Sequence, residues 1–208
     1  DLNTIRIFIP YEDFGKANVD QNKLEKLKKI LDSAEKSNLK VVVTLFDFYG
    51  DYDVLDWTLN HRHAETIVTR FKDHKAILAW DLKNEPNLDF ESRGKENVIS
   101  WLEHLIILIK SIDKNHAVTI GWSNAESAPI LKDKLDFVSF HYYEKIWQLE
   151  GQVDMIRLER LSKNELFDYY YIEEGWLPEI SNERYEIIKK FDTRILLKLK
   201  PLSPKVER

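Results

Sequence analysis

Short apolar runs alternate along the chain with longer stretches in which apolar positions recur every three or four residues. The first pattern predicts strands buried on both faces, the second helices with one apolar stripe. Strands are expected at Ile5 to Ile9, stopped by Pro10, and at Val41 to Phe46. Further ones are expected at Ile77 to Leu82, closed by Pro86, then at Val118 to Trp122, Phe137 to Phe140 and Tyr169 to Ile172. Asp20 is placed to cap a helix carrying Leu24, Leu27, Leu31 and Ala34. After a loop through Trp57 comes a helix that turns Ile67, Val68 and Phe71 inward. Val98, Leu102, Leu105, Ile109 and Ile112 mark a long helix, Ile130 and Leu131 a short one, and Tyr185 to Phe191 the last. Arg194 to Lys200 reads as a further strand or as a tail that runs into Pro201, Ser203 and Pro204.

Strand and helix in regular alternation, with short connections, mean a parallel sheet, because each crossover carries a helix back over it. A doubly wound open sheet would show a glycine-rich turn after its first strand, and this chain has six glycines and no G-x-G-x-x-G. The predicted fold is therefore an α/β (β/α)8 TIM barrel. Such barrels run to about 250 residues. The 208 present leave room for an incomplete one, lacking the first strand and in one reading the last. The chain opens on Asp1 rather than Met and enters a strand almost at once, as a fragment or processed chain would. Residues 1–192 are expected to form one domain, with 193–208 a last strand or a basic tail.

Composition narrows the classes. No apolar run reaches the roughly 18 residues of a membrane span. A net charge of -5 gives no footprint for a phosphate backbone, so nucleic acid is not an expected partner. The absence of cysteine removes disulfides, thiolate metal sites and a cysteine nucleophile together. What stands out is aromatic, with six Trp, nine Tyr and ten Phe.

Barrel sites lie at the C-terminal ends of the strands, so the residues that follow each strand are the candidates. These are Tyr11, Glu12 and Asp13; Asp47, Phe48 and Tyr49; Asn84 and Glu85; Trp122 and Asn124; His141, Tyr142 and Tyr143; Glu173, Glu174 and Trp176. Carboxylates and aromatics on one rim suit a cleft that stacks sugar faces on rings and cuts between them with paired acids. The sharpest signal is Trp80-Asp81-Leu82-Lys83-Asn84-Glu85-Pro86. An acid just past an apolar strand is poorly hydrated, a setting suited to giving and retaking a proton.

The segment Asn84-Glu85-Pro86 resembles the fourth-strand signature of the clan A glycoside hydrolases, especially the cellulase and β-mannanase type of family 5. Asn3-Thr4-Ile5-Arg6 is similar to that family's second strand, Val41 to Tyr49 to its third, and Asp136 to Tyr143 to its sixth, with His141 and Tyr143 in the His-x-Tyr positions. The resemblance implies a retaining glycosidase acting on β-linked polysaccharide or oligosaccharide of mannan or glucan type, with no cofactor and no metal. It implies Glu85 as acid/base, Asn84 on the sugar 2-hydroxyl, and Arg6, His141, Tyr143, Trp122 and Trp176 as substrate-binding or supporting groups. The family's seventh strand ends in Glu-aromatic-Gly, where this chain reads Ile172-Glu173-Glu174-Gly175-Trp176. Ungapped alignment on Gly175 makes Glu173 the nucleophile, with Glu174 the fallback. An extracellular or cell-envelope location is implied by the resemblance alone.

Two other readings compete. One is a truncated or impaired carbohydrate-binding relative, suggested by the altered Glu-Glu-Gly-Trp. The other is a metal-dependent barrel hydrolase using His61, His63 and Asp47. His61 and His63 are expected in a loop ahead of a helix, where surface histidines are the simpler explanation. Trp57 and Trp147 are expected in rim loops, as sugar platforms or as loop anchors.

Overall fold

The computed structural model describes residues 3–141, 169–173, 185–192 and 194–200. The chain forms two compact units, Asp1–Tyr142 and Tyr143–Arg208.

The first unit is built on a five-stranded parallel sheet: β1 (Thr4–Phe8), β2 (Lys40–Phe46), β3 (Ile77–Asn84), β4 (Ala117–Trp122) and β5 (Ser139–Phe140). The strands pair in sequential order, β1-β2-β3-β4-β5. A doubly wound sheet reverses its order at a switch point; an unbroken sequence is how the staves of a barrel follow one another. The crossovers carry α1 (Gln21–Lys36), α2 (Trp57–Phe71), the short α3 (Phe90–Arg93) and α4 (Lys95–Ile112).

These elements form where local chemistry says they should. The Asp20 carboxylate accepts from the Asn22 and Lys23 amides, satisfying two of the donors a helix start leaves open, and Leu24, Leu27, Leu31 and Ala34 are buried. In β2, Val41, Val43, Leu45 and Phe46 are fully buried, as expected for a parallel strand with a helix layer on one face and the barrel interior on the other. Val98, Trp101, Leu102, Leu105 and Ile109 bring α4 against β3, β4 and α2. Each such side chain contributes roughly 1.5–3 kcal/mol through its burial.

Two expectations in this unit are corrected. The segment expected to form a short helix around Ile130 and Leu131 is a series of turns, with one 3-10 turn at Lys132–Lys134. Pro129 disfavours helical backbone at Ala128, and Leu131 sits at φ 60. His61 and His63 lie inside α2 rather than in a loop before it. Asp53 caps a 3-10 turn, Val54–Asp56, that runs directly into the helix at Trp57, ahead of the apolar stripe.

The second unit contains an antiparallel sheet of order β6-β8-β7, from β6 (Tyr169–Glu173), β7 (Tyr185–Phe191) and β8 (Arg194–Leu199). Tyr185 to Phe191 was expected to be a helix and is a strand. Its apolar Ile187 and Ile188 fit either period, but Asp192 adopts φ 46, which turns the chain back so that Phe191 pairs with Arg194. In β8, Ile195 and Leu197 are buried while Lys198 is exposed, the alternation of a strand with one covered face.

Candidate active site

The centre of the site lies on the inner side of the parallel sheet. Thr44 of β2 and Asp81 of β3 are register partners, and Arg6 extends from β1. Asp81 is 1% exposed and accepts four donors. Its Oδ2 takes the Arg6 Nε at 2.9 Å, the Arg6 Nη2 and the Thr44 hydroxyl at 2.6 Å; its Oδ1 takes the Gly121 amide at 2.8 Å. Burial pushes the Asp81 carboxyl up, while Arg6, Thr44 and Gly121 pull it back. A group surrounded only by donors is satisfied as the carboxylate, which accepts at both oxygens.

Gly121 makes this approach possible. A Cβ there would meet the Arg6 guanidinium, 3.0 Å from Cζ, and would lie 3.3 Å from the Asp81 Oδ2.

Arg6 hands its orientation on. Its Nη1 lies 2.5 Å from the His141 Nε2, and the His141 Nδ1 lies 2.5 Å from the Glu85 Oε1. Guanidinium is a donor only, so Nε2 accepts, which puts the ring proton on Nδ1 and directs it to the Glu85 carboxylate. A continuous path therefore runs Asp81, Arg6, His141, Glu85, from the buried sheet to the strand ends.

Glu85 itself adopts φ 49, ψ 48, a left-handed conformation that costs of order 1–3 kcal/mol in a residue with a Cβ. Its amide donates to the Gly121 carbonyl at 2.7 Å, and its carbonyl accepts from Leu88 at 3.1 Å. Pro86 then opens a 3-10 turn, Pro86–Asp89. Beside Glu85, the Asn84 Oδ1 is buried with no hydrogen-bond partner among the described residues, an open acceptor at the strand end. Asp47, at the end of β2, is half-buried; burial pushes its carboxyl up, opposed by the charges of Arg6 and Lys83. An open cleft of about 440 Å³ on the same rim is lined by Tyr11, Glu12, Phe48, Tyr49 and Arg93, with Phe48 85% exposed.

Of the residues singled out in the sequence, Arg6, Glu85 and His141 are brought into contact, with Asn84 next to them. Trp122, the last residue of β4, is fully buried, its ring 6.2 Å from Phe90, so it presents no open face to a sugar. Glu173 closes β6 in the second unit. Tyr142, Tyr143, Trp147, Glu174 and Trp176 lie outside the described residues. Trp57 starts α2, donating its indole N–H to the Tyr52 carbonyl at 3.1 Å, an anchoring contact.

The histidine pair is corrected from surface to structure at one member. His63 is fully buried between Tyr11 and Phe46, and its Nδ1 lies 2.8 Å from the Lys16 carbonyl; burial pulls its pKa down. His61 stacks near His104 at 5.9 Å. Among the described residues, no three His, Asp or Glu side chains group as a metal site, so Asp47, His61 and His63 do not meet. Thr44, Asp81 and Gly121 were not singled out as site residues, yet polar Thr44 and Asp81 inside apolar strand runs were the visible signal.

Sequentially ordered parallel strands, with a carboxylate, histidine and arginine cluster at their C-terminal ends, define a site of the (β/α)8-barrel type. The chain belongs to the cellulase family, glycosyl hydrolase family 5, whose model matches residues 1–173. It is 26% identical over 187 residues to mannan endo-1,4-beta-mannosidase A of Emericella nidulans, across 71% of this chain and 48% of that one. It is 25% identical over 167 residues to the protein of the same name from Hypocrea jecorina, across 62% and 38%. The chain thus spans half or less of the length of these relatives. Among solved structures, it is similar to an exo-beta-1,4-mannosidase from Opitutaceae bacterium strain TAV5, with TM-score 0.54, 20% identity, and coverage of 61% of this chain and 26% of that one. It is also similar to the Pseudomonas stutzeri endoglucanase Cel5A, with TM-score 0.51, 20% identity, and coverage of 65% and 44%. These two likenesses show the barrel fold.

Proposed function

We propose that this chain is a retaining glycoside hydrolase acting on β-linked polysaccharide or oligosaccharide of mannan or glucan type by a two-glutamate mechanism, with Glu85 as acid/base and Glu173 as nucleophile. The observation that carries the reading is the hydrogen-bonded path from buried Asp81 through Arg6 and His141 to Glu85 at the mouth of the sheet. With Oε1 held by His141, Glu85 transfers its proton through Oε2 to the leaving glycosidic oxygen. Glu173 attacks the anomeric carbon from the opposite side; Glu85 then takes a proton from the water that releases the sugar. The open Asn84 acceptor suits a sugar 2-hydroxyl donor, and the cleft at Phe48 and Tyr49 offers ring faces for further sugar units. Mannan is the preferred substrate class, since the similar curated proteins bear mannan endo-1,4-beta-mannosidase names. An extracellular or cell-envelope location goes with a polymeric substrate. Tyr143 and Trp176 remain candidate sugar contacts, and Glu174 the fallback nucleophile.

Turnover of mannan, cellulose and mixed-linkage glucan, with product anomers read by NMR, tests the proposal. Glu85→Gln and Glu173→Gln are each expected to lose about 10²–10⁴-fold or more in kcat, and the first-formed product should keep the substrate's anomeric configuration. Inversion would overturn the retaining mechanism. Full activity in Glu173→Gln would move the nucleophile to Glu174. Tight saccharide binding without turnover would favour a binding relative, the reading suggested by the adjacent Glu173 and Glu174.

A further inference from the structure

Lys83 is 3% exposed, beneath the turn that carries Glu85, and the proposed acid/base chemistry gives it no role. A buried ammonium is rare, and an ion pair in such a place contributes little net stability compared with well-packed apolar side chains of the same volume. Its partners suggest what it does. Nζ lies 3.0 Å from the Asn84 carbonyl oxygen and 3.2 Å from the Asp89 Oδ2, the residue that ends the 3-10 turn. The same Asp89 oxygen accepts the Tyr52 hydroxyl, and the Tyr52 ring packs edge-on to Trp101 at 5.2 Å. Lys83 is thus a strut between the aromatic cluster at the rim and one particular peptide unit, the one joining Asn84 to Glu85.

That peptide is held at both ends. Its carbonyl accepts from Lys83, and its N–H, belonging to Glu85, donates to the Gly121 carbonyl at 2.7 Å. The orientation of this peptide sets the φ of Glu85, which lies in the left-handed region that a side-chain-bearing residue adopts only when its surroundings impose it. We propose that Lys83 is a positioning residue, pinning the Asn84–Glu85 peptide so that the turn holds Glu85 in its left-handed conformation and aims its carboxyl at the His141 Nδ1 and the glycosidic oxygen. This rests on Glu85 being the acid/base. Among the described residues, the ionisable groups around the strut include Asp89, Asp47 and Glu85 near Lys83, Tyr52 on the Asp89 carboxylate, and His141 with Arg6 beyond Glu85.

The test compares the full chain with Lys83→Met, which keeps most of the side-chain volume and removes the ammonium. Amide hydrogen exchange, read residue by residue by NMR, is the first measurement because it needs no catalytic turnover. Exchange at Glu85 and Leu88 is expected to quicken by about tenfold or more, while Val118 and Ile120 in β4 keep their protection. Unchanged exchange at Glu85, or equal loosening of β4, would overturn the proposal. The second measurement compares a polysaccharide with an aryl glycoside whose leaving group needs no proton. Lys83→Met should lose about 10²-fold on the former and much less on the latter; equal losses on both would refute a positioning role. Glu85→Gln separates the two ideas. If it lacks this leaving-group selectivity the acid/base reading fails, and the exchange measurement still decides whether Lys83 holds the turn.

Discussion

Replacing Asp81 by Asn keeps the shape of the side chain and removes one charge and one acceptor. Three donors converge on Oδ2 and one on Oδ1, so an amide placed with its oxygen toward Arg6 and Thr44 sets its NH2 against the Gly121 N–H. The reverse placement sets the NH2 against the guanidinium. Either way a buried donor faces a donor, and Arg6 loses its counter-charge. Removing one partner of a buried pair costs about 3–5 kcal/mol. The Arg6 side chain retains 23% exposure, so water compensates part of the loss, and the lower end, about 3 kcal/mol, is expected. With a urea m-value of about 2 kcal/mol/M, the midpoint should fall by about 1.5 M. Tryptophan fluorescence follows the transition in the relevant unit, because Trp80, Trp101 and Trp122 are all buried there. Thr44→Val, which removes one of the four donors and leaves the charge pair, should cost only about 1 kcal/mol. If Asp81→Asn shifted the midpoint by less than about 0.3 M, or no more than Thr44→Val, the idea that Asp81 anchors Arg6 would be wrong.

Gly121→Ala should destabilise by about 1–3 kcal/mol through overpacking against the Arg6 guanidinium, and it should lower activity along with stability; a neutral thermal shift would show that Arg6 has room to move. His63 supplies a pH-dependent test. Burial lowers its pKa below 6.5, so the unfolded chain takes up the proton first; the stability from keeping it neutral is complete above pH 6.5 and declines as pH falls below that value. Urea midpoints should therefore drop on acidification through this range, and His63→Leu should remove that part of the slope; an identical slope in the variant would contradict the assignment.

Much of the fold could be read along the chain because it depends on neighbours. The stripe of Leu24, Leu27, Leu31 and Ala34 with Asp20 ahead of it specifies α1 whatever it later packs on. The apolar runs of β2, β3 and β4 likewise declare strands covered on both faces. Tyr185 to Phe191 was misread because its pattern fits two periods, and pairing with β8 selects the strand. The start of α2 was misplaced because the Asp53 cap and the 3-10 turn carry no apolar stripe to announce them.

Of the site, the chain alone determined which residue types stand at the strand ends, since a strand that stops at Pro86 must leave Asn84 and Glu85 at its mouth. Only the tertiary structure decided what those groups touch. Arg6 and Asp81 are 75 positions apart, and Glu85 and His141 are 56 apart, so their hydrogen bonds exist only once the sheet has assembled. The burial of Trp122 and the hydrogen bond of the Tyr52 hydroxyl to Asp89, 37 positions apart, are of the same kind. Periodicity encodes which face a side chain takes, whereas the identity of its partner is fixed by register between strands, which no local stretch of sequence contains.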